Sequence, residues 1–185
     1  MKKVFIVHGF GSSPNGGWRP WLMAELENQD IYACALSMPN TDKPICSEWV
    51  EEISRYIERN KDDEIYLVGH SLGVPAILRF IESRNDISNV KGMVLVSGPS
   101  KMNDARKAPS FLDKSFDFSG IRSKVSRVVV IHGDNDPLVP LEDAHEISNG
   151  LGAELIIIPN GVHLNGSAGW KQLTPCLDAL NKMMK

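Results

Sequence analysis

The chain has 185 residues, 42% hydrophobic and 23% charged, with a net charge of −3. This length suffices for one full core and is short for two, so a single domain over 1–185 is expected, and the acidic balance argues against a nucleic-acid partner. Cys34, Cys46 and Cys176 are odd in number, far apart and without C-x-x-C spacing, which points to neither a disulfide framework nor a zinc site and suits a reducing cytoplasm.

The first apolar run, Val4–Val7, stops at His8-Gly9. It is too short for a signal-peptide core or a membrane span and reads as a strand. The loop after it, His8-Gly9-Phe10-Gly11-Ser12-Ser13, carries glycines that let a backbone N–H turn inward. Gly9-Phe10-Gly11 lacks the third glycine of a dinucleotide fingerprint, and no G-x-x-x-x-G-K-[ST] occurs, so nucleotide phosphates are not indicated. A helix is expected over Trp18–Asn28, a strand over Ile31–Leu36 and a helix over Ser47–Asn60.

Strand Ile65–Val68 leads into Gly69-His70-Ser71-Leu72-Gly73, and apolar residues at helical spacing follow from Val74 to Phe80. This is the strand-turn-helix setting of a nucleophile elbow, in which the serine is strained and exposed while glycines two before and two after let strand and helix approach. Pro75 falls in the first turn of the helix Leu72–Ser83, where a missing N–H costs no intrahelical bond. The motif alone also fits a turn of small residues without chemistry, so the rest of the chain must decide.

Strands at Met93–Val96, Val128–Ile131 and Leu155–Ile158 and helices at Leu141–Leu151 and Trp170–Met184 complete an almost unbroken alternation. The runs are apolar without strict alternation, as in parallel strands covered on both faces, and imply a doubly wound α/β sheet with functional groups at the carboxyl ends of strands. One irregular stretch, Gly98 to Lys124, holds Phe111, Phe116 and Phe118. It is either a lid or pocket wall, or a loop packed on the sheet.

A nucleophilic serine needs a base and a group that orients the base, in the chain order serine, acid, histidine for this kind of sheet. Asp136, deep in the turn after Val128–Ile131 and just before Pro137, is the preferred acid, and Asp134 the fallback. His163, in the flexible loop after Leu155–Ile158, is the expected base. His145 lies among acidic residues of a helix and reads as solvated, whereas His8, His70 and His132 can shape the site without acting as base. None has metal-ligand spacing. An oxyanion hole is expected from the backbone N–H of Leu72 and of Phe10, with Gly11 next.

These residues resemble the small serine hydrolases related to retinoblastoma-binding protein nine and the bacterial YdeN-type proteins. The resemblance spans nearly the whole chain: the H-G loop followed by Trp18 to Trp21, the elbow at Ser71, Phe116-Asp117-Phe118 before Ile121, Asp136-Pro137-Leu138-Val139-Pro140, and His163-Leu164-Asn165. It implies a compact α/β-hydrolase fold, three layers α/β/α around a mostly parallel six-stranded sheet of order 2-1-3-4-5-6, without a large cap domain, and a triad of Ser71, Asp136 and His163. The family commonly has glycine directly before the histidine, where this chain has Val162.

The expected chemistry is acyl transfer through a serine ester, with no cofactor or metal. The expected substrate is a small carboxylic ester or thioester in a pocket lined by Phe10, Gly11, Phe111, Phe116 and Phe118. A peptidase or amidase would use the same residues, and a hydrolase-fold binding protein would use none of them. A protein partner or homo-oligomer is left open, and no membrane partner is expected.

Overall fold

Six runs of residues that can bury side chains on both faces form the strands β1 (Lys2–Val7), β2 (Tyr32–Ala35), β3 (Glu64–His70), β4 (Val90–Val96), β5 (Val128–Gly133) and β6 (Glu154–Ile158). The computed structural model describes residues 1–102 and 109–185. All strand pairings are parallel and the order is β2-β1-β3-β4-β5-β6, the order implied by the resemblance. Strand order reverses between β1 and β3, and in open α/β sheets the crevice at such a reversal is where ligands bind.

Alternate residues of each strand feed two separate cores. Phe5, Val7, Ile65, Leu67, Met93, Leu95, Val128 and Val130 pack beneath α2 (Cys46–Arg59), α3 (Gly73–Ser83) and α6 (Leu141–Leu151). Val4, Ile6, Tyr66, Val68, Val94, Val96, Val129 and Ile131 pack beneath α1 (Arg19–Glu27) and α7 (Thr174–Met183). This division makes the three layers. In α2 the buried Trp49, Ile53 and Ile57 recur every four residues, giving one apolar stripe against the sheet. In α3 every residue from Gly73 to Ile81 is buried, because α2 and the irregular stretch close over its outer side.

The described part of that stretch contains two short helices, α4 (Pro109–Leu112) and α5 (Phe118–Lys124), which the sequence pattern did not reveal. Both contact α3. Arg79 of α3 organises them: its guanidinium donates to the carbonyls of Phe111, Lys114 and Ser115, pairs with Glu82 at 2.7 Å and lies 4.0 Å from the centroid of the Phe116 ring. Asp117 caps α5 by accepting from the Gly120 N–H at 2.9 Å. Part of the possible lid over 98–124, residues 103–108, lies outside the described residues.

α7 begins at Thr174, four residues later than the expected Trp170, with Pro175 in its first turn. Ahead of Trp170 the chain forms a 3₁₀ turn, Gly166–Ala168, in which Asn165 Oδ1 accepts from the Ala168 N–H. Trp170 turns back to donate its indole N–H to the Gly161 carbonyl at 2.8 Å.

Candidate active site

Ser71 sits at φ +52°, a left-handed conformation that costs a non-glycine residue about 1–2 kcal/mol. Its N–H donates to Val96 O at 2.8 Å and its carbonyl accepts from the Val74 N–H at 3.0 Å, so β4 and α3 hold the strained residue from both sides. The flanking glycines are needed for contact. A Cβ on Gly73 would lie 2.1 Å from Val7 O, and one on Gly69 would lie 3.0 Å from the Gly73 backbone.

The serine Oγ lies 2.9 Å from His163 Nε2, and His163 Nδ1 lies 2.7 Å from Asp136 Oδ2. The protonated Nδ1 donates to the carboxylate, which leaves the Nε2 lone pair facing the serine hydroxyl. The structure thus brings together the three residues expected from sequence. Asp136 is fully buried at its side chain, and its other oxygen accepts from the N–H groups of Leu138 and Val139 at 2.8 and 3.0 Å. Burial alone would raise its pKa, but the bond from His163 and these backbone donors outweigh it and hold the carboxyl below its ordinary value.

The other acid does a different job. Asp134 Oδ1 accepts from the Asn160 N–H, and Asn135 Oδ1 accepts from the Val162 N–H, each at 2.8 Å. Three consecutive side chains of the loop after β5 therefore grip the histidine loop, and the acid nearest the strand end is a tie. Ser100, also buried, has its hydroxyl 3.0 Å from both Asp143 Oδ1 and Glu146 Oε2. It is Ser71 that bonds to His163.

Further bonds fix the histidine loop. His70 Nε2–H donates to His163 O at 3.0 Å, and Trp18 Nε1–H donates to Leu164 O at 2.8 Å. Burial drives the His70 pKa down to about 3, so the ring is neutral. His8 and His132 are likewise buried and donate to backbone carbonyls, those of Gly9 and Val139. His145 is exposed on α6.

Gly9 lies against the serine, since a Cβ there would approach Ser71 Cβ to 2.9 Å. The N–H groups of Phe10 and Leu72 donate to no acceptor among the described residues, whereas the Gly11 N–H is bound to Thr41 O at 2.9 Å. Phe10 is thereby preferred over Gly11 as an oxyanion donor.

A cleft of about 400 Å³ opens over Ser71 and His163, bounded by Phe10, Gly11, Arg19, Leu138 and Asn165 among others. Phe111, Phe116 and Phe118 do not line it, which corrects the expectation for those three. Phe111 is wholly buried against Trp49, and Phe116 packs on Arg79 and Phe118. Their attachment to α3 draws them away from the cleft. Arg19 and Leu138 were missed as cleft residues. The sequence signal for Arg19 is faint, a basic side chain beside Gly16-Gly17 and between Trp18 and Trp21.

A parallel sheet in this order, with a serine elbow after β3, an acid after β5 and a histidine after β6, defines the α/β-hydrolase class of serine enzymes. The chain belongs to the serine hydrolase family, whose profile matches residues 4–182. It is 32% identical over 180 residues to YdeN of Bacillus subtilis, covering 97% of this chain and 94% of that one. The crystal structure of that gene product superposes with a TM-score of 0.91 over 100% of this chain and 99% of the other. Serine hydrolase RBBP9 of Rattus norvegicus is 25% identical over 158 residues, 83% of this chain and 82% of that protein. Est1E from Butyrivibrio proteoclasticus, solved with ferulic acid bound, shares the fold at a TM-score of 0.76 and 17% identity over 100% of this chain and 88% of the other. No described helix is long and apolar enough to cross a membrane.

Proposed function

We propose that the protein hydrolyses small carboxylic esters or thioesters through a covalent acyl-Ser71 intermediate. His163 Nε2 takes the proton from Ser71 Oγ as the oxygen attacks the carbonyl carbon, and Asp136 stabilises the imidazolium that results. The N–H groups of Leu72 and Phe10 receive the developing oxyanion, helped by the positive end of α3. His163 then gives its proton to the departing alkoxide or thiolate. Water, deprotonated by the same nitrogen, attacks the acyl-enzyme and releases the acid.

The observation that carries this reading is the continuous chain Ser71 Oγ, His163 Nε2, His163 Nδ1, Asp136 Oδ2, with spacings of 2.9 and 2.7 Å, ending on a serine at positive φ. The cleft volume and its exposed apolar edges, Phe10 and Leu138, support a small acyl substrate.

The test is labelling of the purified protein with a fluorophosphonate, location of the adduct by mass spectrometry, and turnover of matched ester, thioester and amide substrates. Labelling is expected at Ser71, abolished in Ser71→Ala and strongly reduced in His163→Ala, with esters or thioesters turned over faster than amides. A folded protein that does not label at Ser71 would overturn the mechanism, and faster turnover of amides would overturn the substrate class.

A further inference from the structure

Among the described residues, the cleft contains one charged group that the hydrolytic steps above do not use. Arg19, the first residue of α1, is only 3% exposed yet lines the same cleft as Ser71 and His163. A buried cation is ordinarily paired with a carboxylate, because an uncompensated charge is costly away from water. Arg19 has no carboxylate within salt-bridge distance among the described residues.

Its hydrogen bonds involve only part of the guanidinium. Nε donates to Ser13 O at 3.1 Å, and Nη2 donates to Ser13 O and Ser12 Oγ, each at 2.8 Å. Nη1 has no protein acceptor among the described residues, and it is not sealed from solvent. Burial lowers the pKa to about 10, which still leaves the group charged at neutral pH. The seat is built to fit: a Cβ on Gly16 would stand 2.4 Å from Nη2, so only glycine leaves room for the guanidinium.

From this geometry we infer that Arg19 is an anion-recognition residue and that the substrates are acyl esters carrying a carboxylate or phosphate oxyanion remote from the scissile carbonyl. This inference rests on the serine-ester reading above. A guanidinium held in place through Nε and Nη2, with Nη1 left to donate, suits such an oxyanion by a charge-assisted hydrogen bond. Phe10 and Leu138, 41% and 58% exposed, supply apolar surface for the spacer between the anion and the carbonyl. A monoester of a dicarboxylic acid has this form, as does an acyl ester with a phosphorylated leaving group.

Two matched substrate pairs test the inference. 4-Nitrophenyl hydrogen adipate against 4-nitrophenyl methyl adipate places the charge on the acyl side, and 4-carboxyphenyl butanoate against its methyl ester places it on the leaving side. In at least one pair the charged-to-neutral ratio of kcat/KM is expected to fall about 10- to 100-fold from wild type to Arg19→Met, as for a lost charge-assisted hydrogen bond. Arg19→Lys should lose less. A merely structural arginine, one that only ties down the loop at Ser12 and Ser13, would lower both members of a pair equally and leave the ratio unmoved, which overturns the inference.

Protection of wild-type Ser71 from fluorophosphonate by glutarate and by inorganic phosphate provides an arm that needs no variant. The stronger protector identifies the oxyanion, and protection by neither overturns the inference. Labelling in wild type and variants with an unmoved ratio removes only the role of Arg19. Absence of labelling throughout would remove the serine-ester reading and this inference with it.

Discussion

Gly73→Ala probes how the elbow is held, and its effect can be worked out from contact distances. The new Cβ would lie 2.1 Å from Val7 O, 2.8 Å from Val7 C and 3.0 Å from His8 O, all backbone atoms that cannot rotate aside. Ordinary contact begins at 3.4 Å, so the start of α3 and the end of β1 must separate by about 1.3 Å. β1 is paired on both edges, with β2 and β3, and resists moving. The helix start moves instead and carries Ser71 with it. Overpacking costs about 1–3 kcal/mol, and rigid backbone on the far side places this case near 3. A displacement of the nucleophile by about 1 Å slows reaction on the order of 100-fold. Gly69→Ala meets its neighbours at 3.0 Å, one of them the flexible tip of Ile77, and should cost about 1 kcal/mol and tenfold or less. Urea unfolding and the rate of fluorophosphonate labelling measure both variants. Equal effects at the two positions, or a Gly73→Ala protein with wild-type stability and labelling rate, would refute the argument that close approach of β1 and α3 positions the serine.

Three other outcomes are expected. Trp18→Phe strips the Leu164 carbonyl of its indole donor inside a wholly buried site and should lower the unfolding free energy by about 1–3 kcal/mol in urea titrations, with slower labelling because Leu164 adjoins His163. Asp136→Asn should reduce kcat by about 10⁴ while leaving the fold intact, since an amide favours the wrong histidine tautomer. Because the Asp136 pKa is lowered on folding, its charge stabilises the protein above the ordinary value of 3.8 and that contribution is lost as pH falls through the lower folded value, so the stability gap to Asp136→Asn should close in strong acid. His70 acts in the same direction at higher pH: its folded pKa of about 3 lies below the free value of 6.5, and the unfolded chain takes up a proton that the folded one refuses. Stability should therefore decline as pH falls from about 6.5 toward 3, by up to about 1.4 kcal/mol per unit from this group, and His70→Gln should flatten that limb of a urea-midpoint profile.

The parts of the molecule legible in sequence are those governed by local rules. Six apolar runs, the elbow glycines and the order of Ser71, Asp136 and His163 could be read because a strand end, a tight turn and a proton relay each demand particular residue types at close spacing. Of the cleft walls, only the loop bearing Phe10 and Gly11 was legible. Phe111, Phe116 and Phe118 have the composition of an acyl pocket, yet their place is decided by Arg79, more than thirty residues earlier in the chain, whose guanidinium gathers the carbonyls and one ring of that stretch onto α3. Arg19 is the converse case. Its burial depends on Gly16 leaving room and on two loop serines presenting acceptors, which makes a helix-start arginine indistinguishable in sequence from a solvated one. A helix expected from Trp170 begins instead at Thr174, and the position of the Gly161 carbonyl, which accepts from the Trp170 indole, explains why Trp170 lies outside it.

Val162 shows why the histidine tolerates a departure from the pattern of the related family. It sits at φ +53°, between Asn160 at +54° and Leu164 at +48°, and a β-branched residue is the least suited of all to that region. The strain, about 1–2 kcal/mol or more at this one position, persists only if the surroundings over-determine the backbone. They do so by hydrogen bonds on either side: Asp134 and Asn135 accept from the N–H groups of residues 160 and 162, while Trp170, His70 and Trp18 donate to the carbonyls of Gly161, His163 and Leu164. Five bonds worth about 1 kcal/mol each exceed the preference of one residue. The orientation of His163 is therefore set by its neighbours in space and does not require glycine at the preceding position.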